Sequence, residues 1–170
     1  MSNNIDIIGL TPSWVINPSL AIATCRAGGI GALDLEYMAE DHASARKAID
    51  KLIRFTDTNR AIKISCRHYD FYLSIQEKIQ QHFAYAILAS DPFLDLEKLV
   101  PFFHHLNVNV FVEVTSTQET HQAAIHATDG LIIKGNESGG WVSLHTSFML
   151  LQQCLPVHDV PVWVQGGIGL

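Results

Sequence analysis

The sequence predicts an α/β fold, a (β/α)8 TIM barrel truncated after strand seven. Three observations lead there. Short runs rich in Ile, Val and Leu alternate with longer helix-like stretches. Strand starts recur roughly every 20–30 residues, the size of one βα unit. The last apolar run enters Gly166-Gly167-Ile168-Gly169, and a parallel strand ending in a glycine turn is where many barrels bind phosphate on backbone N–H groups.

The predicted strands are Ile5–Leu10, Ile30–Leu35, Ala61–Cys66, Ala84–Ala89, Val108–Val114, Gly130–Lys134 and Val160–Gln165. Few polar residues interrupt them, as expected for strands covered on both faces. Helices are predicted over Pro18–Ala27, Asp41–Thr56, Asp70–His82, Asp95–Leu106, Thr117–His126 and Ser143–Leu155. Asn17-Pro18 opens the first helix with a cap and a proline, and Gly28-Gly29 closes it. Asp70 and Asp95 are expected caps, and Ser116-Thr-Gln-Glu119 reads as a capping box. No dinucleotide fingerprint or hairpin signal competes with the barrel.

A complete barrel needs about 250 residues. Residues 1–170 are therefore expected to be the N-terminal portion of a single barrel domain, without strand eight and the final helices. The edges of strands one and seven would then be unpaired. Hydrophobic content of 48% and charged content of 16% suit a packed chain rather than a disordered one. A net charge of -6 without a Lys/Arg stripe argues against nucleic-acid binding. No apolar run approaches the ~20 residues of a membrane span. Met1-Ser-Asn-Asn4 carries no signal-like pattern, so the expected location is cytoplasmic. Cys25, Cys66 and Cys154 are too scattered for a disulfide framework or a zinc pair.

Barrel chemistry sits in the loops after the strands. The loop Thr11–Asn17 is either a wall against a planar ligand or an ordinary loop with a surface Trp. Lys63, in an apolar strand, needs an anionic or polar partner if it points inward, and is otherwise a solvated rim residue. Cys66 and His68 lack an orienting third group for nucleophilic catalysis. Glu113 reads as a mouth carboxylate or a salt-bridged barrel residue. The densest signal is Lys134-Gly-Asn-Glu-Ser-Gly-Gly140. Lys134 there can meet an anionic ring, or it pairs with Glu137 on the surface. His104, His105, His121 and His126 fall on outer helices. His145 is the one histidine near the expected mouth.

These residues together resemble the nitronate monooxygenase family, also called 2-nitropropane dioxygenase-like, which are FMN-dependent TIM barrels. The resemblance runs along nearly the whole chain. It rests on the proline loop after strand one, on Leu20–Gly31, on Lys134–Gly140, and on Val164-Gln-Gly-Gly-Ile168. More narrowly, Cys25–Asp34 and Lys134–Gly140 resemble the N-terminal barrel domain of some bacterial type I polyketide synthases.

The resemblance implies that Thr11 and Pro12 line the flavin and that Lys63 and Lys134 lie near the isoalloxazine ring. Gly139 and Gly140 would pass close to flavin or substrate, and Gly166 and Gly167 would bind the FMN phosphate. The rest of that phosphate site, a Gly-Thr-like turn after strand eight, is missing from the chain. Active members of the main class carry a basic histidine after the paired glycines. Trp141 stands there, with no basic nitrogen, and His145 is the candidate substitute.

The implied function is an FMN-dependent oxidoreductase acting on a small or carrier-bound substrate, within a polyketide synthase. The alternative is a catalytically degenerate barrel serving as a structural or docking domain of such a synthase. A phosphate-binding barrel enzyme without flavin is the third reading.

Overall fold

The computed structural model describes residues 6–38, 41–92, 94–157 and 159–167. Ile5, Ile168 and Gly169, which the sequence assigns to the first strand and the last turn, lie outside them.

Seven strands alternate with helices along the chain. They are β1 (Ile8–Leu10), β2 (Ile30–Asp34), β3 (Arg60–Ile64), β4 (Tyr85–Leu88), β5 (Asn109–Val114), β6 (Gly130–Lys134) and β7 (Val162–Gln165). The helices are α1 (Ser19–Arg26), α2 (His42–Phe55), α3 (Tyr69–Leu73), α4 (Gln76–His82), α5 (Leu96–His105), α6 (Thr117–Ile125) and α7 (Ser147–Cys154). The strands form one parallel sheet in sequential order from β1 to β7. That order, with a helix crossover at each step, is the winding of a (β/α)8 barrel. Among the described residues β1 and β7 do not pair, so the sheet stays open between them.

Strand parity makes two cores. On one face Ile30, Ala32, Ala61, Ile87, Phe111 and Ile132 pack with Ile8, Leu10, Tyr85 and Trp163. All seven strands contribute to this cluster, so the sheet curls around it. The Phe111 ring bridges Tyr85 at 5.1 Å and Trp163 at 4.5 Å. The other face carries the larger core, where Leu33, Ile62, Leu88, Val112 and Ile133 meet Leu52, Ile79, Leu99, Phe103 and Leu150 from the helices. Each such Leu or Ile, fully buried, contributes about 1.5–3 kcal/mol.

The caps explain where the helices start. Asp41, Asp95, Ser116 and Thr146 each accept a hydrogen bond from the N–H three residues on. Gly28 closes α1 at φ +89, in the left-handed region that glycine enters freely. At α1 the side chain of Asn17 holds Ser19, but the cap position itself is Pro18.

Four expectations need correction. The helix expected over Asp70–His82 is broken into α3 and α4 at Ser74-Ile75. There Ile75 turns its side chain into the core, and the chain changes direction to do so. Asp70 lies within the first turn of α3 and does not cap it. The helix expected from Ser143 begins at Ser147, because Ser143 and Asn136 tie the preceding residues to the β6 loop. Glu119 supplies only part of a capping box: its carboxylate takes the N–H of Thr115, not that of Ser116. No helix is long and apolar enough to cross a membrane among the described residues.

Candidate functional site

Parity points the ends of β2, β3, β5 and β6 inward, and charged side chains occupy those ends. Asp34, Glu36, Lys63, Glu113 and Lys134 are each at most 5% exposed. The Lys63 ammonium lies 2.7 Å from Glu36, 3.0 Å from Glu113 Oε1 and 3.5 Å from Asp34. Lys134 Nζ donates to Glu113 Oε2 at 3.1 Å. Glu113 therefore joins the two lysines across the barrel interior. Its Oε1 faces Lys63 off the direction of a hydrogen bond.

Burial works against the Lys63 charge. Glu113, Asp34 and Glu36 outweigh it and hold its pKa above the ordinary lysine value. For Asp34 the balance goes the other way, and burial raises its pKa despite Lys63. With every group ionised the cluster has three negative charges and two positive ones.

This network resolves two of the sequence alternatives. Glu113 is a salt-bridged barrel residue. Lys134 pairs with Glu113 and not with Glu137, so the surface Lys134–Glu137 pair is absent. Asp34 and Glu36 were not singled out in the sequence. Asp34 shares parity with the apolar Ile30 and Ala32 and lies opposite Lys63 in the β2–β3 register. An acid in phase with an apolar strand face was the signal available.

The β1 loop is fastened to this cluster. Thr11 is buried, and its hydroxyl accepts the N–H of Asp34 at 2.8 Å. Ser13 donates to the Asp34 carboxylate at 3.0 Å. Pro12 is exposed between them. Trp14 follows at φ +67, an unusual angle for a bulky residue. It stacks on Tyr37 at 4.3 Å and 10°. Burial and the Glu36 carboxylate push the Tyr37 hydroxyl up to about 12.

The glycine turn after β7 lies against the β6 loop, since Lys134 and Gln165 are register neighbours on adjacent parallel strands. Ser138 donates to the Gln165 carbonyl at 2.7 Å, and Ser147 donates to the Gly166 carbonyl at 3.0 Å. Gly166 and Gly167 have φ of +90 and +65. A Cβ on Gly166 would come within 2.8 Å of the Ser138 backbone, so a side chain there is both strained and obstructed. Among the described residues neither the Gly166 nor the Gly167 N–H has a hydrogen-bond acceptor. Two free amides at a strand's C-terminal end suit an anion. One feature opposes it: Glu137 Oε1 lies beside Gly167. The other oxygen of that carboxylate accepts the Ser147 N–H at 3.0 Å, and the N-terminus of α7 offsets part of its charge.

The β6 loop also shapes the mouth. Gly139 opens to free space, and Gly140 turns at φ +79 with its Cβ direction 3.6 Å from Lys134 Nζ. Trp141, Val142, Leu144 and His145 line a cleft of about 620 Å³ with Thr115 and Ser116. His145 is exposed on its rim, with its N–H held by Ser143. The structure thus brings Lys63 and Lys134 together through Glu113, and Gly140, Trp141 and His145 around one cleft. Gly166 and Gly167 are linked to that loop by Ser138 and Ser147. Cys66 and His68 sit on a short 3-10 turn after β3, outside this group. His104 Nε2 and the Asp129 carboxylate are in hydrogen-bond contact at 2.8 Å, both half-exposed.

No family model matches the chain. The chain is similar to (3aS,4S,5R,7aS)-5-hydroxy-7a-methyl-1-oxo-octahydro-1H-indene-4-carboxyl-CoA dehydrogenase of Rhodococcus jostii, with 27% identity over 91% of this chain and 42% of that protein. The Mycobacterium tuberculosis protein of the same name is 26% identical over 91% of this chain and 43% of its own length. The chain thus spans less than half the length of the curated relatives it matches. Among solved structures, FabK from Thermotoga maritima superposes with a TM-score of 0.79 and 25% identity, over 96% of this chain and 51% of that one. Nitroalkane oxidase from Streptomyces ansochromogenes is alike in fold alone, with a TM-score of 0.71 and 19% identity, over 95% of this chain and 58% of its own.

Proposed function

We propose that this chain belongs to an FMN-dependent oxidoreductase of the nitronate monooxygenase-like class, acting on a thioester-linked acyl substrate. The observation that carries the reading is the turn Gly166-Gly167, whose free N–H groups lie beside the β6 loop at the barrel mouth. FMN has a phosphate tail and a planar ring that becomes anionic on reduction. The free amides suit the phosphate, and the Lys134 ammonium under Gly140 suits the ring. Bound FMN would supply hydride or electron transfer.

The chain's own residues would do the positioning. Glu113 holds Lys134 in place from below. Thr11 pins the start of the β1 loop to Asp34, which fixes Pro12 at the mouth. Gly140 puts backbone and no side chain between the mouth and the buried Lys134 ammonium, so a ring or carbonyl would come near it over a glycine. Thioester substrates are supported by the two CoA-thioester dehydrogenases that the chain resembles. The wording of Cys25–Asp34 and Lys134–Gly140 favours a home within a polyketide synthase, where the acyl group would arrive on a carrier.

Titration of FMN into the protein tests this. The expected result is quenched flavin fluorescence with retained absorbance near ~450 nm. No change in flavin fluorescence at millimolar protein would overturn it.

Two observations favour a second reading. Trp141 occupies the place of the base, and both buried lysines are held by carboxylates. A barrel that has lost its chemistry and serves as a docking domain of a synthase would tolerate both. It would bind no FMN.

A further inference from the structure

We propose that the cleft after β6 receives the apolar acyl part of the substrate, with Trp141 and Leu144 as the walls that set its specificity. This rests on the thioester reading above and assigns a role to residues that the reading leaves unused.

The cleft measures about 620 Å³, within the roughly 300–1,000 Å³ of ligand sites. Its walls are apolar and open. Trp141 is 51% exposed and Leu144 is 94% exposed, and Phe148 continues the apolar surface onto α7. Large apolar side chains grouped on a surface mark a binding site. Most polar groups around the cleft are already engaged, the exposed His145 imidazole on its rim being the exception. Glu119 accepts from Ser90 and from Thr115, and Ser143 accepts the His145 N–H. They offer little to a sugar or a charged ligand.

The position of the cleft fixes which end of the substrate it takes. Gly140 lines it and lies over Lys134 Nζ. In the proposed pose the acyl chain lies along Trp141 with its carbonyl at Gly140, the end of the cleft next to the buried Lys134 ammonium. A tryptophan supplies area and shape but no proton acceptor. Its gain over a histidine is contact with an apolar group.

Equilibrium binding of cyclohexanecarbonyl-CoA and acetyl-CoA to the protein tests the proposal, read by tryptophan fluorescence and calorimetry. The bulky apolar ester is expected to bind at least tenfold tighter than acetyl-CoA. Trp141→Ala and Leu144→Ser are each expected to bring that ratio toward one while acetyl-CoA affinity changes little. Both residues are surface-exposed, so both variants should fold.

An unchanged ratio in the two variants would overturn the proposal, as would the absence of binding by either ester. Self-association that Trp141→Ala abolishes would also overturn it, by assigning the patch to a second copy of the chain. Flavin content is measured on the same sample. Selectivity without flavin would leave the cleft assignment standing while the cofactor reading falls.

Discussion

Glu113 and Lys134 form an ion pair of 3.1 Å between neighbouring strands, with both side chains shut off from solvent. Lys63 approaches the other oxygen of the same carboxylate at 3.0 Å. Removing one member of a buried ion pair leaves uncompensated charge, which costs about 3–5 kcal/mol. Glu113→Gln is expected to destabilise the fold by that amount, because it leaves the buried Lys134 ammonium without its carboxylate and takes one of three from Lys63. Urea unfolding measures it, and a loss below about 1 kcal/mol would show that Asp34 and Glu36 suffice.

The same network sets an alkaline limit. The folded pKa of Lys63 is raised above its ordinary 10.5. Its contribution is complete below pH 10.5 and is lost as pH rises through the folded value. Tyr37, raised from 10.0 to about 12, acts in the same direction, since unfolding lets it ionise earlier. Stability is expected to fall between pH 10 and 12, and less steeply in Lys63→Met. Melting temperatures across that range, compared between the two proteins, would show the difference.

The turn after β7 gives a paired test. Gly167→Asp adds a carboxylate beside Glu137 at φ +65 and is expected to abolish FMN binding. Gln81→Ala, exposed on α4, should leave affinity within about twofold. Equal affinity of Gly167→Asp and wild type in a flavin titration would remove the phosphate from this turn.

Ala127 ends α6 at φ +52. This is the left-handed position that glycine fills without a Cβ penalty. Ala127→Gly is expected to stabilise the protein by about 0.5–1 kcal/mol. The side chain is exposed, so no packing is lost. A lower urea midpoint would contradict the assigned backbone geometry.

Trp14 is 75% exposed yet holds φ +67 against Tyr37. Trp14→Ala keeps the strain and loses the stack. Trp14→Gly loses the stack and relieves the strain. The glycine variant is expected to be the more stable by about 1 kcal/mol. Calorimetry of the two variants side by side would detect the reverse order.

Much of the fold was legible along the chain. The strand rhythm gave seven parallel strands, and β6 matches its expected bounds residue for residue. Near-continuous apolar runs and side-chain caps are local signals, and local physics writes them. The break at Ser74-Ile75 was not legible, because burial of Ile75 decides it and burial depends on the packed helices. Cap chemistry at Asp70 misled for a similar reason: the 3-10 turn over Cys66–His68 flows directly into α3 and leaves no cap position for it.

By itself the sequence determined the βα winding and the two glycine turns, since each follows from residue type and spacing. Only the tertiary structure decided that Glu113 serves both lysines, that Asp34 and Glu36 join them, and that Trp141 opens onto a cleft. Those outcomes depend on which strand ends meet inside the curled sheet. Side chains 21 to 50 residues apart along the chain touch there, and the alternation within one strand carries no information about its neighbours across the barrel.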